Sequence, residues 1–171
     1  MKMTKLFVAA LLGISVSFNA MAGGPGGNPG TNADFCTSLT SILKLAPANF
    51  ASIKGEIDEA MTEEEEEDVF QSTQALPGFE RALIMPTFSE TKKKIYFTQS
   101  YDNLEDAQAA LTEIEASIKA CLTTAAGYKA SVDSGIHIFE STTTSVQLMT
   151  KEDYDDEGET IYLLLLQAYK K

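Results

Sequence analysis

Three kinds of side chain in this sequence could do chemistry: two cysteines, one histidine and a large excess of carboxylates. Cys36 and Cys121 lack the Cys-x-x-Cys spacing and the second ligand cluster that a metal or redox site needs. In an oxidising compartment an isolated pair closes one disulfide. His137 sits in the strand-like run Ile136-His137-Ile138-Phe139, where a lone histidine is more often packing or surface decoration than a catalyst. With both cysteines oxidised there is no Cys-His nucleophile. A Ser-His-Asp site would have only His137 and no nucleophile elbow. The glycine-rich segment 23–30 follows no strand, so it is no phosphate loop. Carboxylate pairs for glycoside hydrolysis are too abundant to be specific, and the chain has no Trp to line a sugar cleft. The expectation is a protein without catalysis.

The sharpest local pattern is Asp153-Tyr154-Asp155-Asp156-Glu157-Gly158-Glu159, which is similar to the opening of an EF-hand loop. Oxygen ligands at alternate positions before a glycine suit calcium at a sharp turn. The match ends there, since Leu164 stands where a bidentate carboxylate belongs and a strand replaces the exiting helix. Two readings remain: a calcium turn using Asp153, Asp155, Glu157 and Glu159, or a polar hairpin tip with Gly158 supplying the turn. The hairpin is preferred.

A second acidic feature is larger. Nine of the 25 acidic residues fall within 56–68, ending in the run Glu63, Glu64, Glu65, Glu66, Glu67 and Asp68. Self-repulsion disfavours packing such a stretch in a core. It reads as an inserted excursion that either docks a basic partner or is simply solvated.

The last apolar run, 160–169, has large residues on both faces: Ile161, Leu163 and Leu165 on one, Tyr162, Leu164 and Leu166 on the other. A two-layer fold leaves one of these to water unless it meets a partner. The expectation is that the Tyr162, Leu164 and Leu166 face supports partner binding or a homodimer. A bulge near Leu165 would instead turn these side chains into the core.

These residues must be positioned by helices and strands. The apolar residues of 102–127 recur at three-and-four spacing, from Leu104 through Leu111 and Ile118 to Ala125, so one face of a long helix is buried. Asp102 with Glu105 suggests its capping box, and Gly127 its left-handed end. A first helix spans 32 or 34 to 46, stopped by Pro47. Cys36 lies near its start and Cys121 near the end of the long helix, so a bond between them predicts antiparallel packing, stabilising by roughly 4 to 5 kcal/mol in the chain-entropy model. Strands are expected at 50–54, 79–85, 93–100, 128–133, 136–139 with 144–149, and 160–169. Three local matches, Ala51-Ser52-Ile53 with Ala130-Ser131-Val132, Leu83-Ile84-Met85 with Gln147-Leu148-Met149, and Ile95-Tyr96-Phe97 with Ile161-Tyr162-Leu163, suggest duplication. The expected fold is therefore α+β: two tandem α-β-β-β units, about 32–101 and 102–171, forming an antiparallel sheet backed by two antiparallel helices.

The address is read at the start. Residues 1–22 combine Lys2 and Lys5, an apolar run and an Ala-x-Ala ending at Ala22, as a cleaved secretory signal does. Residues 23–31 are a flexible mature N-terminus and 32–171 a single domain. After cleavage eleven basic residues face 25 acidic ones, a net charge of −14. That argues against nucleic acid and anionic membranes and for a basic partner, or merely for solubility. The sequence thus predicts a periplasmic or secreted binding protein, inhibitor-, immunity- or chaperone-like, with a calcium-binding structural protein as the alternative.

Overall fold

The computed structural model describes residues 32–87, 92–125, 127–155 and 157–171. The signal segment 1–22 and the segment 23–31 lie outside the described residues. Element order is α1 (Asn32–Leu43), β1 (Lys54–Ile57), α2 (Glu59–Glu65), β2 (Phe70–Ser72), β3 (Arg81–Pro86), β4 (Lys93–Tyr101), α3 (Leu104–Ala125), β5 (Lys129–Asp133), β6 (Ile136–Glu140), β7 (Thr144–Tyr154) and β8 (Thr160–Lys170). All strands join one antiparallel sheet in the order β1-β2-β3-β4-β8-β7-β6-β5. The fold is α+β, as expected. Each long helix is followed by four strands rather than three, and the described helices number three rather than two.

Alternation along the strands divides side chains between two faces. Ile84, Ile95, Phe97, Phe139, Val146, Leu148, Leu164, Leu166 and Ala168 pack with Phe35, Leu39 and Ile42 of α1 and Ile114, Ile118 and Leu122 of α3 in the main core. The disulfide between Cys36 and Cys121, with α-carbons 5.3 Å apart, ties the start of α1 to the end of α3. The opposite face has its own small cluster, Val69, Leu83 and Met85, with Met61 of α2 and Tyr96 packed on it. α2 therefore lies across the sheet from α1 and α3.

Local chemistry explains the departures from expectation. The strand expected at 50–54 begins only at Lys54, as β1: Asn49 and Phe50 take left-handed backbone conformations and 51–53 forms a 3-10 turn. The left-handed conformation costs about 1 to 2 kcal/mol. The Phe50 side chain is fully buried, a gain of comparable or larger size. The long helix begins one residue later than Asp102 and Glu105 imply. Asn103 Oδ1 accepts from the Asp106 backbone N–H at 2.9 Å, and Asn103 Nδ2 donates to Asp106 Oδ2. Asn103 is thus the N-cap, and Asp106 accepts from its side-chain amide rather than from its backbone N–H, so only half of a capping box forms. Gly127 is left-handed as expected.

Two of the three internal matches fail as structural equivalents. Residues 51–53 form a turn, whereas 130–132 belong to β5. Ile95 faces the helices, but Ile161, three places from Leu164, faces the other side. A slip of one residue reverses every side chain. Only Leu83-Ile84-Met85 with Gln147-Leu148-Met149 keeps its faces, placing Ile84 and Leu148 in the same core. β8 pairs without interruption to both β4 and β7, so there is no bulge at Leu165.

Candidate functional site

The acidic run is held as structure. Asp58 caps α2 by accepting from the Met61 N–H at 3.2 Å, and its other oxygen takes a 2.7 Å ion pair from Arg81 on β3. Burial raises the Asp58 pKa, but the hydrogen bonds from Arg81 and Met61 outweigh it and hold the carboxyl below its ordinary value. Met61 packs on Val69, Leu83 and Met85. The Val69 N–H donates to Thr62 Oγ1 at 3.0 Å, closing the far end of the excursion. Between these anchors Glu63, Glu64, Glu65, Glu66, Glu67 and Asp68 are all exposed. Glu66 ends the helix in a left-handed conformation, and Glu67 lies 3.9 Å from Lys93.

The helix overlooks the open face of the sheet. Burial pushes the Tyr96 phenol up, opposed by Lys151 and reinforced by Glu65 and Asp153. Lys151 is raised chiefly by its 2.9 Å hydrogen bond to Asp153, with a smaller contribution from Glu64. On the same face Ile138, Met149, Ile161 and Leu163 are half-buried. Acidic groups thus stand beside an apolar strip.

The other residues singled out from sequence fall elsewhere. Leu164 and Leu166 are completely buried in the main core, and Tyr162 shares their side of β8. Burial under α1 and α3 withdraws Leu164 and Leu166 from docking, while Tyr162 is half-buried; the opposite face carries Ile161 and Leu163. Physically, β8 is central in the sheet, between β4 and β7, and its helix side is buried in the main core.

The tip of the β7–β8 hairpin spends its carboxylates on its own backbone. Asp155 Oδ1 accepts from the N–H groups of Glu157 and Glu159 at 2.9 and 2.8 Å, while Asp153 binds Lys151 and the Tyr154 N–H. Gly158 supplies the left-handed residue. Among the described residues no three His, Cys, Asp or Glu side chains gather as a metal site. The calcium turn therefore has no preformed ligand set in Asp153, Asp155, Glu157 and Glu159.

His137 points under the helices, with Nδ1 2.6 Å from Glu115 Oε1, which Lys119 also reaches at 2.7 Å. Burial raises Glu115, but hydrogen bonds from Lys119 and His137 outweigh it and leave the carboxyl below its ordinary value. This trio links β6 to α3. Cys36 and Cys121 are joined and carry no thiol.

Sequence reasoning missed Asp58 and Arg81 as anchors, although an Asp before the helix-forming Glu59-Ala60-Met61 is an N-cap signal. Arg81 had no comparable signal, since its partner lies 23 residues away. Among the described residues no helix is long and apolar enough to cross a membrane. The disulfide fits an oxidising compartment. The chain matches no family model, no curated protein and no solved structure.

Proposed function

We propose that this is an exported, non-enzymatic binding protein that docks a basic macromolecular partner, in an inhibitor-, immunity- or chaperone-like role. The observation that carries the reading is the run of six exposed carboxylates held on a capped, doubly anchored excursion beside an uncovered sheet face. Like charges on one helical turn cost a few tenths of a kcal/mol per pair. A solvated loop would avoid that cost by staying extended. The partner is steered in by the acidic helix and then covers Ile138, Met149, Ile161 and Leu163. The two halves are read as copies of a single helix-and-meander unit, one of which has acquired the excursion.

Capture from the source cell's envelope extract tests this with the oxidised protein and with a variant carrying Gln at Glu63, Glu64, Glu65, Glu66 and Glu67. Expected is a basic protein that is lost with the variant and whose association slows steeply as salt rises. Equal capture by both forms, or an association rate indifferent to salt, overturns the reading.

A further inference from the structure

At one end of the open face, away from the hairpin tip, lies a solvent-connected cavity of about 440 Å³. Four lysines line it: Lys92 and Lys94 at the start of β4, Lys170 and Lys171 at the end of β8. The whole chain has only 13 basic residues against 25 acidic ones. A cluster of this sign is therefore not the average of the surface, and among the described residues no Asp or Glu lines the cavity.

The lysines are differently placed. Lys93, between Lys92 and Lys94 in sequence, instead reaches Glu67 at 3.9 Å. Lys171 is held 3.0 Å from Glu140. Among the described residues, Lys92, Lys94 and Lys170 take no ion pair. Lys94 is half-buried, with its ammonium 5.3 Å from the centre of the Tyr96 ring. Burial pulls its pKa below the ordinary lysine value, and the field of Glu65 offsets this only in part. Several ammonium groups around one small cavity repel one another, and a half-buried one has also lost hydration.

The floor is polar and ordered. Gln167 Nε2 donates to Gln147 Oε1 at 2.6 Å, and Gln147 Nε2 donates to the Tyr169 hydroxyl at 2.9 Å. This chain runs across β7 and β8 and fixes the amide orientations. The Gln167 carbonyl oxygen and the Tyr169 hydroxyl proton are left for further bonds. Ser145, opposite Tyr169 in the register, is fully buried and its hydroxyl has no partner among the described residues. An apolar residue at such a position would avoid leaving a buried hydroxyl unpaired.

We infer that this cavity is a binding site for a small polyvalent anion, a di- or tricarboxylate or a phosphate ester, held by Lys92, Lys94 and Lys170 and oriented by the Gln147, Gln167 and Tyr169 chain. The volume lies within the range of metabolite pockets. Lysine is a point-charge donor that serves either anion, so the shared chemistry is multiple negative charge. A bound anion relieves both the mutual repulsion of the lysines and the desolvation of Lys94. The site does not rest on the proposed partner.

The test is calorimetric titration of the oxidised protein at neutral pH with citrate, pyrophosphate and acetate. Citrate or pyrophosphate should bind once, saturably and far more tightly than acetate, and should raise the melting temperature. Lys94→Gln combined with Lys170→Gln should weaken binding at least about tenfold, whereas Lys54→Gln and Lys129→Gln should leave it within about twofold. Melting of each variant with its disulfide intact confirms folding. The proposal is overturned if neither polyvalent anion binds saturably, if acetate binds as well, or if the control lysines matter equally.

Discussion

The first connection in each half of the sheet is made in opposite ways. Between β5 and β6 the chain turns on Ser134 and Gly135, both left-handed, in the two-residue form that matches strand twist. Between β1 and β2 the corresponding connection is 58–69, containing α2 and the acidic run. The short turn shows that the meander needs no helix there. What α2 adds is surface charge, and what the chain spends to hold it is a buried cap, an ion pair and a second apolar cluster on the far side of the sheet. The same position in the meander is thus a connector in one half and a display in the other.

The comparison is broken most severely by separating the halves. Cys36 belongs to the first and Cys121 to the second, so replacing both with Ala should lower the unfolding free energy by roughly 4 kcal/mol, read as a shift in urea midpoint. Hydrogen exchange should then show α1 opening before β7 and β8, whose eleven-residue strands pair along their full lengths. Simultaneous loss of protection in both halves would mean that neither is the more stable.

The two connections are compared directly by Asp58→Ala and Gly135→Ala. The first removes the α2 cap and leaves Arg81 without its carboxylate, a loss of about 1 to 2 kcal/mol, accompanied by new proteolysis within 59–68. The second meets open space but forces Ala to a φ of 82°, at about 1 kcal/mol, with no new cleavage in the first half. Equal cleavage patterns would deny that α2 is held by its own anchors.

Acid sharpens the same contrast. Asp58 in the display and Glu115 beneath the other half are both held below their ordinary values of 3.8 and 4.5. Folding therefore favours the ionised forms. Their stabilisation is complete above those ordinary values and disappears as pH falls through the lower native ones. The melting temperature should drop across that window. Glu115→Gln and Asp58→Asn should each flatten the drop, and only Asp58→Asn should also weaken protection of α2.

Much of this was legible in the sequence because it was periodic or unique. The long helix, its closing Gly127, the single cysteine pair and the strands from 93 onward follow from spacing or elimination, and the structure places them so. The turn at 49–53 was not legible, since a left-handed Phe50 is stabilised only by the core that buries it. β2 is three residues long, too short for alternation to register. The faces of β8 were ambiguous because both are apolar, and only pairing with β4 and β7 assigns Leu164 and Leu166 to the core. The lysine cavity joins residues more than 70 positions apart, and no local pattern announces it.

The smallest expected effect discriminates most. Gln at Glu63, Glu64, Glu65, Glu66 and Glu67 leaves Asp58, Arg81, Met61 and Val69 untouched, so the anchors persist while like-charge repulsion on the helix falls. Stability should be unchanged or rise by a few tenths of a kcal/mol, measured by thermal melting at low salt, and the gain should vanish as salt screens the wild-type charges. That outcome, acids that slightly destabilise the fold on a backbone pinned at both ends, is the one the proposed docking role requires. If the variant instead melts lower by a kcal/mol or more, those carboxylates support the structure itself, through Lys93 or the field on Lys94 and Lys151, and the contrast between connector and display collapses.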